Sequence, residues 1–403
     1  MTTRRQRFAQ RRKACGYTQE SFADTLRVDR STVQRWERGE VDPQPHQGPK
    51  IAKLLQVSSK ELDALLTSDT PPATANAWIT NSSTPFHDDE LDAWELSRRV
   101  RASDVGTETL NRLERAFDDL AMAYPKSPPQ TLLQRVRKHS AYVAQLLDAR
   151  KTLAEHRRLL VVGGWFSLLG ATLHIDLKQD DAATARLQTA ATLAQEAEYP
   201  EIKAWCFETD AWRVLTDGDY VRALELSRIA QDAAPAGTSA LIQATAQEGR
   251  AHARLGDAKE TYAAIDRVQG MSAALGETNR AEHHYQYDPA KSLAYTATTL
   301  AWLGDAAAEP YAREVIARLD PGDDVGKWPR RVASANIDLA LVLLTGNRID
   351  ESCDAAQKAI LSGRVVPSNH WRALEVVSAV EAKKLPEASD LREAYEGLKA
   401  IET

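Results

Sequence analysis

Five polar residues within a stretch of six offer the chemistry that reads base pairs. They are Arg30, Ser31, Thr32, Gln34 and Arg35. Arginine can pair bidentately with guanine, serine and threonine present adaptable donors, and the threonine methyl group can touch thymine. If this stretch is a helix, Val33 and Trp36 lie on its inner face and the five polar side chains lie outside. The alternative is an ordinary helical hairpin with a solvated polar face, because short motifs match by chance.

A second polar cluster spans residues 283–288 and reads His-His-Tyr-Gln-Tyr-Asp. Adjacent histidines on a helix point about 100° apart, so they do not converge on one ion. We therefore predict no metal and no cofactor. For this cluster, and for Trp165, Trp205, Trp212 and Trp302, the alternatives are lining a ligand groove or packing in a core. Because the sequence also shows no phosphate-binding glycine loop, nucleophile elbow or Ser/His/Asp pattern, we predict that the protein is not an enzyme.

Two short helices joined by a tight turn must position the first set of polar residues. Thr18 is a good N-cap for the first helix, whose apolar stripe ends at Leu26. Asp29 is a second N-cap, and Gly39 ends the second helix. The spacing therefore predicts a helix-turn-helix unit over residues 17–39.

The sequence around this unit carries a longer motif. It comprises Gly16-Tyr17-Thr18-Gln19-Glu20, Leu26, Val28, Ser31-Thr32-Val33, Arg35-Trp36-Glu37, Gly39, Ile51-Ala52, Leu54, Val57-Ser58 and Glu61-Leu62. With this motif, the segment from Arg4 to Leu66 resembles the Cro/repressor-type (Xre-like) helix-turn-helix family. The resemblance implies a small five-helix, lambda-repressor-like DNA-binding domain over residues 1–66, with its third helix in the major groove.

The resemblance also implies roles for individual side chains. Those facing bases are Arg30, Ser31, Thr32 and Arg35. Gln19 is implied as a phosphate contact at a helix N-terminus, and Gln34 and Arg38 are more suited to the DNA backbone than to a base. Arg27 departs from the family pattern, because relatives usually carry glycine at that turn position.

The charge of the chain is unevenly distributed. Residues 1–66 hold thirteen Lys and Arg against eight Asp and Glu, a balance of +5, whereas the whole chain carries −6. A basic head on an acidic body fits a protein that grips DNA at one end. The densest basic cluster lies in the first helix and consists of Arg4, Arg5, Arg7, Arg11, Arg12 and Lys13. We predict that this cluster binds phosphates, with Arg12 as a DNA contact; the alternative is a solvated N-terminal face.

The rest of the chain is predicted to be helical. Residues 67–87 are rich in Pro, Thr, Ser and Asn and read as a linker. In residues 88–403, four similar corners follow one another, in each of which Gly closes one helix and Asp or Asn caps the next. They are Gly218-Asp219, Gly256-Asp257, Gly304-Asp305 and Gly346-Asn347. This region resembles a degenerate tetratricopeptide-repeat (TPR) array of about six hairpins. The predicted fold class is all-α, with the small domain followed by an α-solenoid of TPR-like hairpins.

The cysteines and the most apolar segment bear on the cellular compartment. Cys15, Cys206 and Cys353 are odd in number and far apart, which excludes a disulfide framework and favours a reducing cytosol. No apolar segment follows the basic N-terminus, so we expect no signal peptide. The apolar run 159–173 is shorter than the ~20 residues that span a bilayer, so we expect a buried helix there. We predict a cytoplasmic protein with no membrane partner.

The order of the domains resembles that of bacterial regulators in which a repeat domain binds a signalling peptide and repositions the heads. The resemblance implies a sequence-specific, DNA-binding transcriptional regulator. It is expected to bind double-stranded DNA at a palindromic operator as a homodimer, with a peptide or small-molecule effector bound by the TPR-like domain. The alternative is a TPR scaffold for protein–protein interaction, with the head as a non-regulatory DNA anchor.

Overall fold

The computed structural model of the chain describes residues 5–66, 96, 103–275, 282–287, 289–319, 329–384 and 387–400. By its internal contacts the chain divides into two units, residues 1–86 and 87–403. The regular structure of the described residues is helical, with no strand among them. The predicted all-α fold is therefore confirmed. The predicted linker, residues 67–87, lies outside the described residues.

Five helices make up the described part of the first unit. They are α1 (Gln6–Ala14), α2 (Gln19–Leu26), α3 (Arg30–Arg38), α4 (Gly48–Leu54) and α5 (Ser59–Leu66), with a short 3-10 turn at Pro45–Gln47. Each helix buries at least one large apolar side chain in a common core, namely Phe8, Phe22, Trp36, Ile51 and Leu62 in chain order. Trp36 is only 2% exposed, so its packing with this core fixes the inner face of α3 and thereby its outer face.

The turn between α2 and α3 sets the direction of α3. A capping box begins α2, in which Thr18 and Ser21 each accept a hydrogen bond from the other's backbone N–H. Arg27 ends this helix with a φ of 55°, a left-handed conformation that residues with a Cβ disfavour. Asp29 occupies the N-cap position of α3 as predicted, but its side chain makes no capping hydrogen bond. Gly39 ends α3 with a φ of 74°, as a C-terminal glycine can.

The second unit consists of hairpins. Its helices are α6 (Thr107–Ala123), α7 (Pro129–Asp148), α8 (Leu153–Asp176), α9 (Asp180–Glu196), α10 (Pro200–Thr216), α11 (Tyr220–Ala233), α12 (Ser239–Arg254), α13 (Ala258–Ala273), α14 (Pro289–Leu303), α15 (Ala308–Leu319), α16 (Arg330–Thr345), α17 (Ile349–Leu361), α18 (His370–Ala382) and α19 (Glu387–Ala400). From α8 onward, consecutive helices pack in six pairs. The first helices of successive pairs also pack against one another, which makes the region a solenoid-like array of helical hairpins, as expected.

Three of the four predicted corners have the expected geometry. Their glycines have φ values of 76° to 87°. Asp219 and Asp257 each accept a hydrogen bond from a backbone N–H in the first turn of the next helix, and Asp305 accepts one from Ala307, the residue before α15. The fourth corner differs from the prediction. There Asn347 itself takes the left-handed conformation, with a φ of 56°, and no side chain caps α17. Gly346 has a φ of −78°, so it does not supply the left-handed turn.

The start of the second unit and the end of α8 contact the fifth hairpin of the array and the segment after it. Arg330, at the start of α16, pairs with Asp176 at the end of α8 at 2.5 Å and donates to the carbonyl oxygen of Ser127 at 2.9 Å. Arg364 donates to the carbonyl oxygen of Lys126 at 3.0 Å. These partners are 154, 203 and 238 positions apart in the sequence. The contacts close the array around a central space.

Helix α8 forms much of the core of this closed array. Within the described residues it is the one helix long and apolar enough to cross a membrane by length and composition, and 89% of its most apolar window is buried in the fold. Gly163 and Gly164 allow neighbouring helices to approach, because a Cβ at either position would lie 3.2 Å from a side-chain carbon of Val143 or Ile202. The burial agrees with the expectation for residues 159–173.

Candidate nucleic-acid interface and ligand cavity

The outer face of α3 brings together six of the eight side chains predicted to contact DNA. They are Arg30, Ser31, Thr32, Gln34, Arg35 and Arg38. The three arginine side chains are 62%, 58% and 53% exposed, in chain order. Ser31 is exposed, and Thr32 and Gln34 are half-buried. A helix with such a face has the width and the donors that the major groove admits.

Carboxylates lie close to each of these arginines. Arg30 pairs with Glu20 of α2 at 2.8 Å, whereas Arg35 and Arg38 lie 3.8 and 3.7 Å from opposite oxygens of Glu40. Exposed pairs of this kind contribute little to stability. The guanidinium groups can therefore exchange these carboxylates for a base edge or a phosphate at small cost.

Gln19 lies at the first position of α2, where the helix N-terminus favours an anion. Its side chain is half-buried, and its Nε2 donates to Glu37 Oε2 at 2.5 Å. Glu37 is 8% exposed and lies on the inner side of α3. Gln19 therefore ties the start of α2 to α3.

Arg12 occupies the other side of the same carboxylate. Its Nε donates to Glu37 Oε1 at 2.7 Å, it also donates to the carbonyl oxygen of Tyr17, and its side chain is 3% exposed. The contact of Arg12 with DNA therefore stays a prediction, and its guanidinium group faces away from solvent, unlike those of the α3 arginines. Its charge lies in the core of the first unit, where Glu37 compensates it.

Other members of the predicted phosphate-binding cluster also bind the protein itself. Arg5 is 7% exposed, pairs with Asp42 and donates to carbonyl groups around the end of α3. Arg11 donates to the carbonyl oxygens of Leu55 and Gln56 at 2.8 and 2.9 Å. Cations are favoured at such helix C-termini. The basic cluster of α1 thus contributes to folding through Arg5, Arg11 and Arg12.

A cavity of about 210 Å³ lies at the centre of the second unit. The first helix of every hairpin, from α8 to α18, contributes to its wall. On three of them the lining residues recur at positions i, i+3, i+4 and i+7, the spacing of one helix face. They are Trp205, Glu208, Thr209 and Trp212 on α10; Lys291, Ala294, Tyr295 and Thr298 on α14; and Arg331, Ser334, Ala335 and Asp338 on α16.

Most charged groups of the cavity wall are paired. Three ion pairs are Arg330 with Asp176 at 2.5 Å, Arg331 with Glu282 at 2.9 Å and Arg372 with Asp338 at 2.5 Å. Lys291 Nζ donates to the carbonyl oxygen of His283 at 2.6 Å and to that of His284 at 3.2 Å. Two charged side chains of the wall, Arg250 and Glu208, remain outside these pairs.

Arg250 has aromatic neighbours in place of a carboxylate. Its guanidinium carbon lies 3.8 Å from the ring centre of Tyr295, and 5.5 and 5.8 Å from those of Trp212 and Trp302. Among the described residues no carboxylate oxygen lies within 4.0 Å of this guanidinium group. Burial lowers the pKa of Arg250 from its ordinary value, but an arginine stays charged at neutral pH. The aromatic rings hold the cation without neutralising it.

Glu208 is 5% exposed and accepts a hydrogen bond from Gln243 Nε2 at 3.0 Å. Burial raises the pKa of its carboxyl group from 4.5 to about 7. Near neutral pH this carboxyl group is therefore partly protonated. The same Gln243 nitrogen also contacts the hydroxyl of Tyr295, so an amide stands between Glu208 and the ring beneath Arg250.

The histidine cluster takes a conformation that the sequence analysis did not anticipate. His283 and His284 lie in a non-helical segment before α14, held by Lys291 through backbone carbonyls. His284 lines the cavity, and burial lowers its pKa well below the usual value. In the described ranges no group of three His, Cys, Asp or Glu side chains is arranged to hold a metal ion.

The tryptophans fall into both of the classes left open by the sequence. Trp205 and Trp212 line the cavity, whereas Trp165 stacks on Phe117 at 5.3 Å and Trp302 packs in the core. Arg250, Glu208 and Gln243 were not predicted as functional residues from the sequence. A signal was present, because polar residues recur on one face of several helices whose other residues are small or apolar.

A helix-turn-helix family model matches residues 8–62 of the chain. The match runs from α1 into α5 and covers only the first unit. No curated protein matches the chain at a significant level. At the level of this family, the first unit is a helix-turn-helix domain, of the kind that DNA-binding regulators carry.

Proposed function

We propose that the protein is a sequence-specific transcriptional regulator whose α3 enters the major groove of double-stranded DNA. The proposed base contacts are Arg30, Ser31, Thr32 and Arg35; the proposed backbone contacts are Gln19, Gln34 and Arg38. The observation that carries this proposal is the outer face of α3, where three arginines are each more than half exposed. The solvent-accessible carboxylates beside them support it, because such surface pairs are weak and yield readily to a stronger anion.

We further propose that the protein binds a palindromic operator as a homodimer in the cytoplasm. One recognition helix offers few base contacts, so two heads on half-sites about 34 Å apart are needed for tight binding. The second unit, whose corners and hairpins resemble TPRs, is proposed to dimerise and to sense a peptide or small molecule. An effector that binds one arrangement of the dimer more tightly shifts operator affinity.

Arg35 and Arg38 offer a matched pair of variants for the test. Both lie on α3, are similarly exposed and lie close to Glu40. A selection from random oligonucleotides first defines the operator of the full-length protein. Arg35→Ala is then expected to cost about 1–3 kcal/mol on that operator and to relax preference at one base position. Arg38→Ala is expected to weaken binding to all sequences alike and to lower the salt slope by about one.

Two results would count against this assignment. Equal behaviour of the two variants would remove the distinction between base and backbone contacts. A selection that enriches no sequence would favour the alternative, a TPR scaffold whose head is only a DNA anchor. The stoichiometry of the operator complex, measured by sedimentation, tests the homodimer independently: two chains per palindrome are expected, and one chain contradicts the proposal.

A further inference from the structure

The cavity of the second unit lacks an anion for Arg250. The other cations of its wall have partners in ion pairs or backbone carbonyls. Glu208 does not pair with Arg250, and its raised pKa, about 7, leaves it partly neutral at physiological pH. Aromatic contacts offset only part of the desolvation that a buried cation suffers. An anion that enters the cavity would therefore meet an unneutralised guanidinium group.

Two further donors of the wall have no partner. Gln247 is fully buried and its Nε2 makes no hydrogen bond, and Trp205 is 2% exposed with an unpaired Nε1. Arg250 Nε is also unpaired. All three groups are hydrogen-bond donors, and all three residues line the cavity. Buried donors without acceptors are rare in folded proteins, so their presence in one cavity indicates a ligand that supplies acceptor oxygens.

The size and the walls of the cavity restrict the ligand. A volume of about 210 Å³ equals the liquid volume of about seven water molecules, which suits one small organic molecule rather than a folded partner. Trp205, Trp212 and Tyr295 provide aromatic surface next to the donors. The planar fork of arginine matches a carboxylate, and a single unpaired cation is balanced by a single negative charge.

We propose that this cavity binds a small organic monocarboxylate, whose carboxylate pairs with Arg250 and whose apolar part lies against Trp205 and Trp212. The small-molecule effector proposed above would then be a monocarboxylate. Ligand binding itself does not depend on the proposed regulatory function; only the effect of the ligand on DNA binding does. A doubly charged phosphate is disfavoured, because the remaining cations of the wall already have partners.

The test measures ligand binding to the full-length protein by calorimetry and thermal shift, without DNA. The probes are acetate, benzoate and phenylacetate, with benzamide as a neutral isostere and inorganic phosphate as a different anion. At least one carboxylate is expected to bind, and benzamide and phosphate are expected to bind more weakly. Arg250→Met is expected to lower the affinity for that carboxylate by about thirtyfold, the effect of removing one partner of a buried charge pair.

Arg254→Met is the matched control. Arg254 lies one turn further along α12, is partly buried like Arg250 and also stacks on Trp302, but it pairs with Glu375 at 2.9 Å. Its replacement is expected to leave carboxylate binding unchanged. Arg250→Lys keeps the charge but loses the planar fork, so it is expected to bind the carboxylate with intermediate affinity, and it carries the test if Arg250→Met does not fold.

The proposal is overturned if no carboxylate of the panel binds at millimolar concentration. It is also overturned if benzamide binds as tightly as benzoate, or if the Arg250 variants bind like the wild type. Operator binding is measured separately with and without the bound carboxylate. Arg250-dependent binding without an effect on DNA would leave the ligand site intact and refute the sensing role. If the full-length protein binds no defined operator, the proposed function is refuted, but the ligand site is not.

Discussion

The buried pair of Arg12 and Glu37 allows a sharp test of how the first unit is held together. Arg12→Met leaves Glu37, which is 8% exposed, without its cation, although Gln19 still donates one hydrogen bond. Removing one partner of a buried ion pair costs about 3–5 kcal/mol, and we expect the lower value because of that remaining bond. A domain the size of residues 5–66 has a total stability of about 3–9 kcal/mol. The change is therefore large enough to unfold the domain in part of the population.

DNA affinity alone cannot interpret this variant, because both unfolding and loss of a phosphate contact weaken binding. Hydrogen exchange of the full-length protein, measured by mass spectrometry without DNA, separates the two. Arg12→Met should speed exchange in peptides of α1 and α3 on the order of a hundredfold, while peptides of the second unit stay unchanged. The double variant Arg12→Met/Glu37→Gln should recover most of the protection, because the unpaired buried charge is gone.

Lys13→Met provides the surface control, since Lys13 is an exposed neighbour of Arg12 on α1. It should leave the exchange of α1 and α3 unchanged. The reasoning would be refuted if Arg12→Met also left exchange unchanged while it lowered the salt slope of DNA binding by about one. That result would assign Arg12 to phosphate after all.

Three further changes test the turn, the cavity wall and the packing of hairpins. Arg27→Gly should slow exchange in α2 and stabilise the first unit by about 0.5–1 kcal/mol, because glycine accepts the φ of 55° without strain; faster exchange would contradict this. Glu208 has a folded pKa of about 7 against an ordinary 4.5, so the stability of the second unit should fall as pH rises between these values. Glu208→Gln should remove this pH dependence and raise the free energy of unfolding by about 3 kcal/mol at pH 8 and by about 1 kcal/mol at pH 5. Denaturant unfolding at both pH values measures the two gains, and equal gains would refute the prediction. Gly249→Val should lower the stability of the second unit by about 2 kcal/mol, because even a Cβ at this position lies 3.0 Å from the Cβ of Ala264. Gly270→Ala should raise stability, because Gly270 has open space around it. The thermal unfolding temperatures of the two variants should therefore shift in opposite directions.

The first unit was predictable because its determinants are local in sequence. Thr18 begins α2 and Gly39 ends α3 as their positions indicate, and Trp36 packs where the helical spacing puts it. The role of Arg12 was not predictable in the same way. Its partner Glu37 lies 25 positions away in the sequence. A cluster of basic residues looks the same in the sequence whether its side chains face solvent or a buried carboxylate.

The cavity could not be predicted from the sequence, for a related reason. Its closure depends on Arg330 and Asp176, which are 154 positions apart and belong to different hairpins. Corners such as Gly218-Asp219 predict that hairpins exist, but not that the array closes on itself or which helix faces turn inward. The sequence predicts a helix for the segment with His283, because it does not reveal that Lys291 Nζ binds the backbone carbonyl of His283.

Arg12 and Arg250 show why burial alone does not assign a role to an arginine. Arg12 is buried and has a carboxylate at 2.7 Å, whereas Arg250 is partly buried and has aromatic rings and a long hydrogen bond to Gln247 Oε1 at 3.4 Å, with no carboxylate partner. For packing alone, an apolar side chain of similar length would serve the second position better, because an unpaired buried cation is costly. Local violations of this kind are expected at functional sites, where a ligand completes the interactions that the fold leaves open. The paired arginine therefore belongs to the folding of the head, and the unpaired one to what the second unit binds.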